Sequence, residues 1–165
     1  MISLDKVNNL NKSDFISLFG NVFEKTEWIA KKVYEDNPFS DFQEFFSKMI
    51  EVYENSSKEN HLKILIAHPE LAVEKRLTDK SRKEQTGANL NNCSHEEYEE
   101  FKKLNLEYNN KFGFPFIIAV KGKNKNEILN NFRQRILNDM DSEFEEAKKQ
   151  VKKIATFRIN EIIDQ

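Results

Sequence analysis

The sequence predicts an all-α fold: a single-domain helical bundle with one short extended apolar segment near 114–120. Three observations carry that expectation. Only 4 Gly and 3 Pro in 165 residues leave few places to break a helix. Lys, Glu, Leu and Ile are plentiful, and apolar residues recur at three- and four-residue steps. The 14 Phe point to an aromatic-rich core, and the chain is long enough to bury one.

The elements follow in order. Ser13-Asp14 can cap a short helix carrying Phe15, Leu18 and Phe19, and a second helix should cover 24–34. Asn37-Pro38 breaks the chain before Asp41, which can cap a helix with Phe42, Phe45, Phe46, Met49 and Tyr53 on one side. A helix through 62–67 has to end near His68, because a residue before proline is driven out of the α region. Pro69 suits the first turn of a next short helix. Ser81-x-x-Glu84 has the form of a capping box and predicts a helix start there. Ser94-x-x-Glu97 opens a longer helix, with Tyr98, Phe101, Leu104, Tyr108 and Phe112 in one stripe and Gly113 just past its end. Helices at 127–137 and 141–163 complete the set.

The last helix carries Phe144, Ala147, Val151 and Ile154 on one face, and further steps of four reach Arg158 and Ile162. A permanent charge thus stands in an apolar stripe. It must snorkel, pair with a carboxylate such as Glu84, or face a cavity that receives an anion. The run 114–120 contains Pro115 and reads as a buried strand or extended stretch. With helices around it and no second strand, its peptide groups need other partners: a polar heterocyclic ligand, water or side chains.

Composition excludes several classes. Twenty-six basic residues against 28 acidic give a net charge of -2, with no basic excess to recruit nucleic acid. No apolar stretch approaches the roughly 18 residues that span a bilayer, so no membrane partner is expected. Residues 1–5 lack the basic-then-apolar pattern of a leader, and Ile162-Ile163-Asp164-Gln165 is not a peroxisomal address, so cytoplasm is the expected location. Cys93 stands alone, which excludes an internal disulfide. Its neighbours Asn91, Asn92 and Ser94 suggest an inter-helix loop, and no base is spaced to activate it. The three His show no His-x-x-x-His spacing, so no metal is expected.

His68 is the candidate acid or base, an imidazole at a break between helices. A lone His is more often a structural or surface residue than a catalyst, and the place before Pro69 raises the functional reading only modestly. His61 and His95 read as solvated. Glu84 is explained by the capping box and Gln85 is an ordinary helix former, yet a helix N-terminus can also orient polar groups.

Three segments recur in order: His68-Pro69-x-Leu71-Ala72, then Ser81-x-x-Glu84-Gln85-x-Gly87-Ala88-x-Leu90, then Tyr108-x-x-Lys111-Phe112-Gly113-Phe114-Pro115-Phe116-Ile117-Ile118-Ala119-Val120. Arg133, Leu137 and Asn138 follow, then a final helix with Glu143, Ala147, Ile154, Ala155 and Arg158. In this order they resemble the 2-oxo-4-hydroxy-4-carboxy-5-ureidoimidazoline (OHCU) decarboxylases of urate breakdown, over one domain spanning 1–165. The resemblance implies cofactor-free decarboxylation of OHCU to (S)-allantoin by an all-helical homodimer, with a small ureidoimidazoline as the ligand and no metal. It implies His68 as proton donor, with Glu84 holding His68 or a substrate N–H or O–H in position. Substrate would be bound by Pro69, by Ser81, Arg82, Lys83, Glu84 and Gln85, and by Phe116, Ile117, Ile118, Ala119 and Val120, with Arg158 reaching the same pocket. Val73 and Asn89 depart from the family, standing where many members carry glycine. Two other readings are a non-catalytic helical interaction domain and a lyase or hydrolase acting on a related ureide. The complete set of His68, Glu84, Gln85 and Arg158 distinguishes an enzyme from a degenerate binding module.

Overall fold

The computed structural model describes residues 1–72 and 78–164, and among these the chain forms nine helices and no strand. The fold is all-α. Val73 lies outside the described residues. The chain divides into two compact units, one of Met1–Ala67 with Lys152–Gln165 and the other of His68–Val151.

The first unit holds α1 (Leu4–Asn8), α2 (Lys12–Phe19), α3 (Glu27–Tyr34), α4 (Phe42–Glu54), α5 (Lys58–Ala67) and the second half of α9 (Met140–Ile162). Asp41 caps α4 as its sequence predicts, accepting from the Glu44 N–H at 2.8 Å. The cap of α2 is Asn11 rather than Ser13-Asp14, and its side chain accepts from the Asp14 N–H at 2.9 Å. Residues 24–26 precede α3 instead of belonging to it, because the backbone turns left-handed at Lys25, with φ 52°. Phe15, Phe19, Phe39 and Phe45 form the core of this unit, Phe45 lying 4.9 Å from Phe19 and 5.2 Å from Phe39 between ring centres. The two chain ends meet: the Ile2 N–H donates to the Ile162 carbonyl at 2.8 Å, and the Asp164 N–H donates to the Ile2 carbonyl at 3.0 Å. α5 stops at Ala67, as the His68-Pro69 pair requires.

The second unit holds α6 (Asp79–Gly87), α7 (His95–Phe112), α8 (Lys125–Arg135) and the first half of α9. α7 matches its sequence reading at both ends. Ser94 and Glu97 form the reciprocal capping box, and Gly113 takes the left-handed conformation at φ 77°. α8 begins two residues before position 127 because Asn124 and Glu127 make a second capping box. α6 is a correction. Thr78, extended at φ -61° and ψ 156°, caps it and accepts from the Ser81 N–H at 3.2 Å. Ser81 therefore lies inside the first turn, and Glu84 is not a capping partner. Pro69 opens no helix either; residues 69–72 are irregular. Phe116 stacks on Phe132 at 3.9 Å and 9°, and Tyr108 packs edge-on against both rings. Residues 114–120 are buried throughout and are neither helix nor strand.

No described helix is long and apolar enough to cross a membrane.

Candidate active site

His68 is the first residue beyond α5 and only 6% exposed. The chain after it is fastened by side chains instead of continuing as helix. Gln85 grips it at two points: its Nε2 donates to the Glu70 carbonyl at 3.2 Å, and its Oε1 accepts the Ala72 N–H at 3.1 Å. Asn105 Nδ2 donates to the Leu71 carbonyl at 3.0 Å, and Asn109 Nδ2 to Glu70 Oε1 at 2.8 Å. This capture of main-chain groups is why Pro69 starts no helix.

α6 presents its candidates on different sides. Ser81 and Gln85, one turn apart, are buried; Glu84 is half-buried; Arg82 and Lys83 are exposed. Gln85 is thus bonded to the chain just after His68-Pro69, at Glu70 and Ala72, and Glu84 lies in the body of the helix. Arg82 makes an exposed contact with Asp79 at 3.7 Å, which contributes little.

The segment 116–120 meets two side chains from the surrounding helices. Arg135 Nη1 donates to the Ile117 carbonyl at 2.6 Å, and the Ala119 N–H donates to Gln150 Oε1 at 2.9 Å. Arg135 is held in turn by Glu143. Its Nε donates to Oε1 at 2.7 Å, while Nη2 lies 2.6 Å from the same oxygen at an angle unsuited to a hydrogen bond. Glu143 is fully buried and also accepts from the Tyr108 hydroxyl at 2.7 Å and from Asn138 Nδ2 at 3.1 Å. Burial, and the bond to Glu143, push the Tyr108 hydroxyl well above its ordinary pKa, so it stays a neutral donor.

Arg158 faces inward as its stripe predicts, at 2% exposure. It forms an ion pair with Glu24. Nη2 lies 2.9 Å from Glu24 Oε2, and Nη1 donates to the Asn21 carbonyl at 2.9 Å, all within the first unit. His61 is a second correction: it is buried, with Nε2 2.7 Å from the Tyr53 carbonyl and its ring edge-on to Tyr53. His95 is exposed. Cys93 donates to the Leu90 carbonyl at 3.3 Å, and burial pushes its thiol up, away from the thiolate a nucleophile needs. A surface cavity of about 320 Å³ between Asn89, Glu97 and Lys125 includes none of the expected substrate residues. Among the described residues no group of three or more His, Cys, Asp or Glu could hold a metal ion.

Sequence reasoning missed Asn105, Asn109, Arg135 and Gln150 as supports of these segments. Two of them carried a signal. Asn105 follows Phe101 by four and precedes Tyr108 by three, and Gln150 sits between Ala147 and Ile154 on the buried face of α9; each is a polar residue at an apolar position.

Residues 8–160 match the family model described as OHCU decarboxylase, across both units. The chain is 40% identical over 162 residues to the uric acid degradation bifunctional protein of Bacillus sp. (strain TB-90), covering 98% of this chain and 32% of that protein. It therefore spans about a third of that relative's length. It is 36% identical over 160 residues to the 2-oxo-4-hydroxy-4-carboxy-5-ureidoimidazoline decarboxylase of Haloferax volcanii, covering 97% of this chain and 95% of that one. Among solved structures, an (S)-allantoin synthase superposes with a TM-score of 0.79 at 27% identity, covering 99% of this chain and 54% of that one. An OHCU decarboxylase crystallised in the presence of (S)-allantoin gives 0.72 at 25%, covering 86% and 94%. A family match over nearly the whole length, in the same all-α fold, decides the assignment: this chain belongs to the OHCU decarboxylase family of carboxy-lyases.

Proposed function

We propose that this protein decarboxylates OHCU to (S)-allantoin without a cofactor, with His68 as proton donor. The observation that carries the reading is the ordered set His68-Pro69, Glu84-Gln85 and 111–120 in a chain of this family, with Gln85 bound to the main chain two residues beyond His68. In the reaction the bond from carbon to carboxylate breaks and CO2 leaves. The substrate's adjacent C=N group takes up the electron pair, giving an enol-like intermediate. One proton then reaches one face of the ring carbon, and a single placed donor sets the configuration. An imidazole suits that task near neutrality.

Glu84 orients His68 or a substrate N–H or O–H. Pro69, Ser81, Arg82, Lys83, Gln85 and residues 116–120 complete the binding surface, and the family resemblance assigns Arg158 to substrate as well. Arg82 and Lys83 are exposed within α6, where the Arg82 N–H already bonds the Thr78 carbonyl at 2.9 Å, so their side chains, rather than their peptide groups, are the better candidates. We further propose that the enzyme works as a cytoplasmic homodimer.

The test is to supply freshly generated OHCU and follow the product by circular dichroism. Accelerated formation of (S)-allantoin is the expected result, and racemic product at the uncatalysed rate overturns the reading. The same assay after exhaustive dialysis against a chelator should keep its rate; loss restored by one particular metal overturns the cofactor-free mechanism.

A further inference from the structure

The segment 114–120 loses water without gaining a ladder. Its residues are buried, with Phe116 1%, Ile118 5% and Ala119 3% exposed, so the few hydrogen bonds made to its peptide groups have large leverage on its position. At the end of the segment the Val120 carbonyl accepts the Lys123 N–H at 3.0 Å, and within it two side chains bond at alternate residues: Arg135 at the Ile117 carbonyl and Gln150 at the Ala119 N–H. Both partners are themselves held. Glu143 fixes the Arg135 guanidinium, which also lies 4.4 Å over the Phe116 ring. Gln150 Nε2 donates to Glu146 Oε1 at 2.8 Å, which orients the carboxamide so that its oxygen meets Ala119.

Between these two points, Ile118 makes no hydrogen bond through its N–H or C=O among the described residues. Arg135 and Gln150 take the Ile117 carbonyl and the Ala119 N–H, the peptide groups that flank Ile118 on either side. The N–H and C=O of Ile118 stay available as a donor and an acceptor on one residue, and such a pair complements the C=O and N–H of an amide or ureide.

We propose that Gln150 and Arg135 are positioning residues that hold this segment so that the Ile118 peptide groups bind the amide functions of the substrate. The inference rests on the decarboxylase reading above. Neither side chain need touch substrate. Gln150 is the better handle, because Arg135 belongs to a buried ionic cluster whose disruption threatens the fold.

The test compares three proteins with OHCU as substrate and (S)-allantoin as a binding probe: the natural chain, Gln150→Met, and the exchange variant Glu146→Gln with Gln150→Glu. Gln150→Met keeps the length and removes the acceptor. The exchange returns an acceptor oxygen to Ala119 and a donor amide to position 146 with no change in net charge. Gln150→Met should raise KM and weaken (S)-allantoin binding about tenfold, the scale of one lost hydrogen bond, with a smaller change in kcat. It should also speed amide exchange at Ala119. The exchange variant should recover most of the affinity. If Gln150→Met does not fold, Gln150→Asn, which withdraws the oxygen from Ala119, replaces it. Unchanged KM and product affinity in a folded variant, or a lower melting temperature alone, overturn the inference and leave the decarboxylase reading standing. Absence of (S)-allantoin formation by the natural chain overturns that reading first, and the inference with it.

Discussion

Glu24 and Arg158 are each about 98% or more withdrawn from water, and such a pair tolerates the loss of one member poorly. Arg158→Met leaves the Glu24 carboxylate desolvated and unmatched, so it should lower stability by about 3–5 kcal/mol, measured by denaturant unfolding. Glu24→Gln together with Arg158→Met should recover most of that loss. Turnover by the folded double variant then separates the two roles of the guanidinium. It should remain poor, as a substrate contact requires; normal turnover would confine Arg158 to holding the first unit together. His68→Asn keeps a polar side chain of similar reach without a transferable proton. It should lower the rate by roughly two to four decades while the far-ultraviolet circular dichroism is unchanged. Full activity in that variant would remove His68 from the chemistry. The inward charge at position 158 was legible because helical spacing places it among apolar residues. Its partner was not, because Glu24 comes from a distant part of the chain and no local period points to it. His61 was misread as solvated for a similar reason: the Tyr53 carbonyl that accepts or shares its proton belongs to another helix.

At the level of elements, helix ends show where sequence reasoning is strong. The Ser94 box, the stripe of α7 and the terminal Gly113 are all local signals, and they agree with one another. The start of α6 was misplaced at Ser81 by a local motif, whereas Thr78 caps the helix and Ser81 is buried inside its first turn. Likewise the irregular run at 114–120 was visible from its composition, whereas the side chains that hold it come from α8 and α9 and leave no mark in its own sequence. Left-handed positions give a clean test of these elements. Nothing lies within 4 Å of a Cβ added at Gly113, so Gly113→Ala meets only the conformational cost of φ 77° and should destabilise by about 1–2 kcal/mol. Asn89 is also left-handed, at φ 63°. Asn tolerates that region, so Asn89→Gly should change stability by less than about 0.5 kcal/mol, while Asn89→Val should cost more than Gly113→Ala. Chemical denaturation of the three variants checks the order.

At the scale of the molecule, the proposed homodimer predicts a light-scattering mass twice the 19.5 kDa of the chain, and a value that stays at one chain mass across micromolar concentrations would overturn it. The order of the two units along the chain has a consequence for synthesis. The second unit is contiguous, whereas the first is completed only by residues from Lys152 onward. During translation, α1 to α5 emerge without the last turns of α9 that supply Arg158, Ile159 and Ile162, so Glu24 has no guanidinium to meet and the Ile2 N–H has no Ile162 carbonyl to bond. At ribosomal speeds of about 5–20 residues per second, the residues between them take on the order of ten seconds to appear. The unit that begins first is thus sealed last, and the Phe15, Phe19 and Phe45 cluster is the nascent surface that a chaperone would shield in the interval.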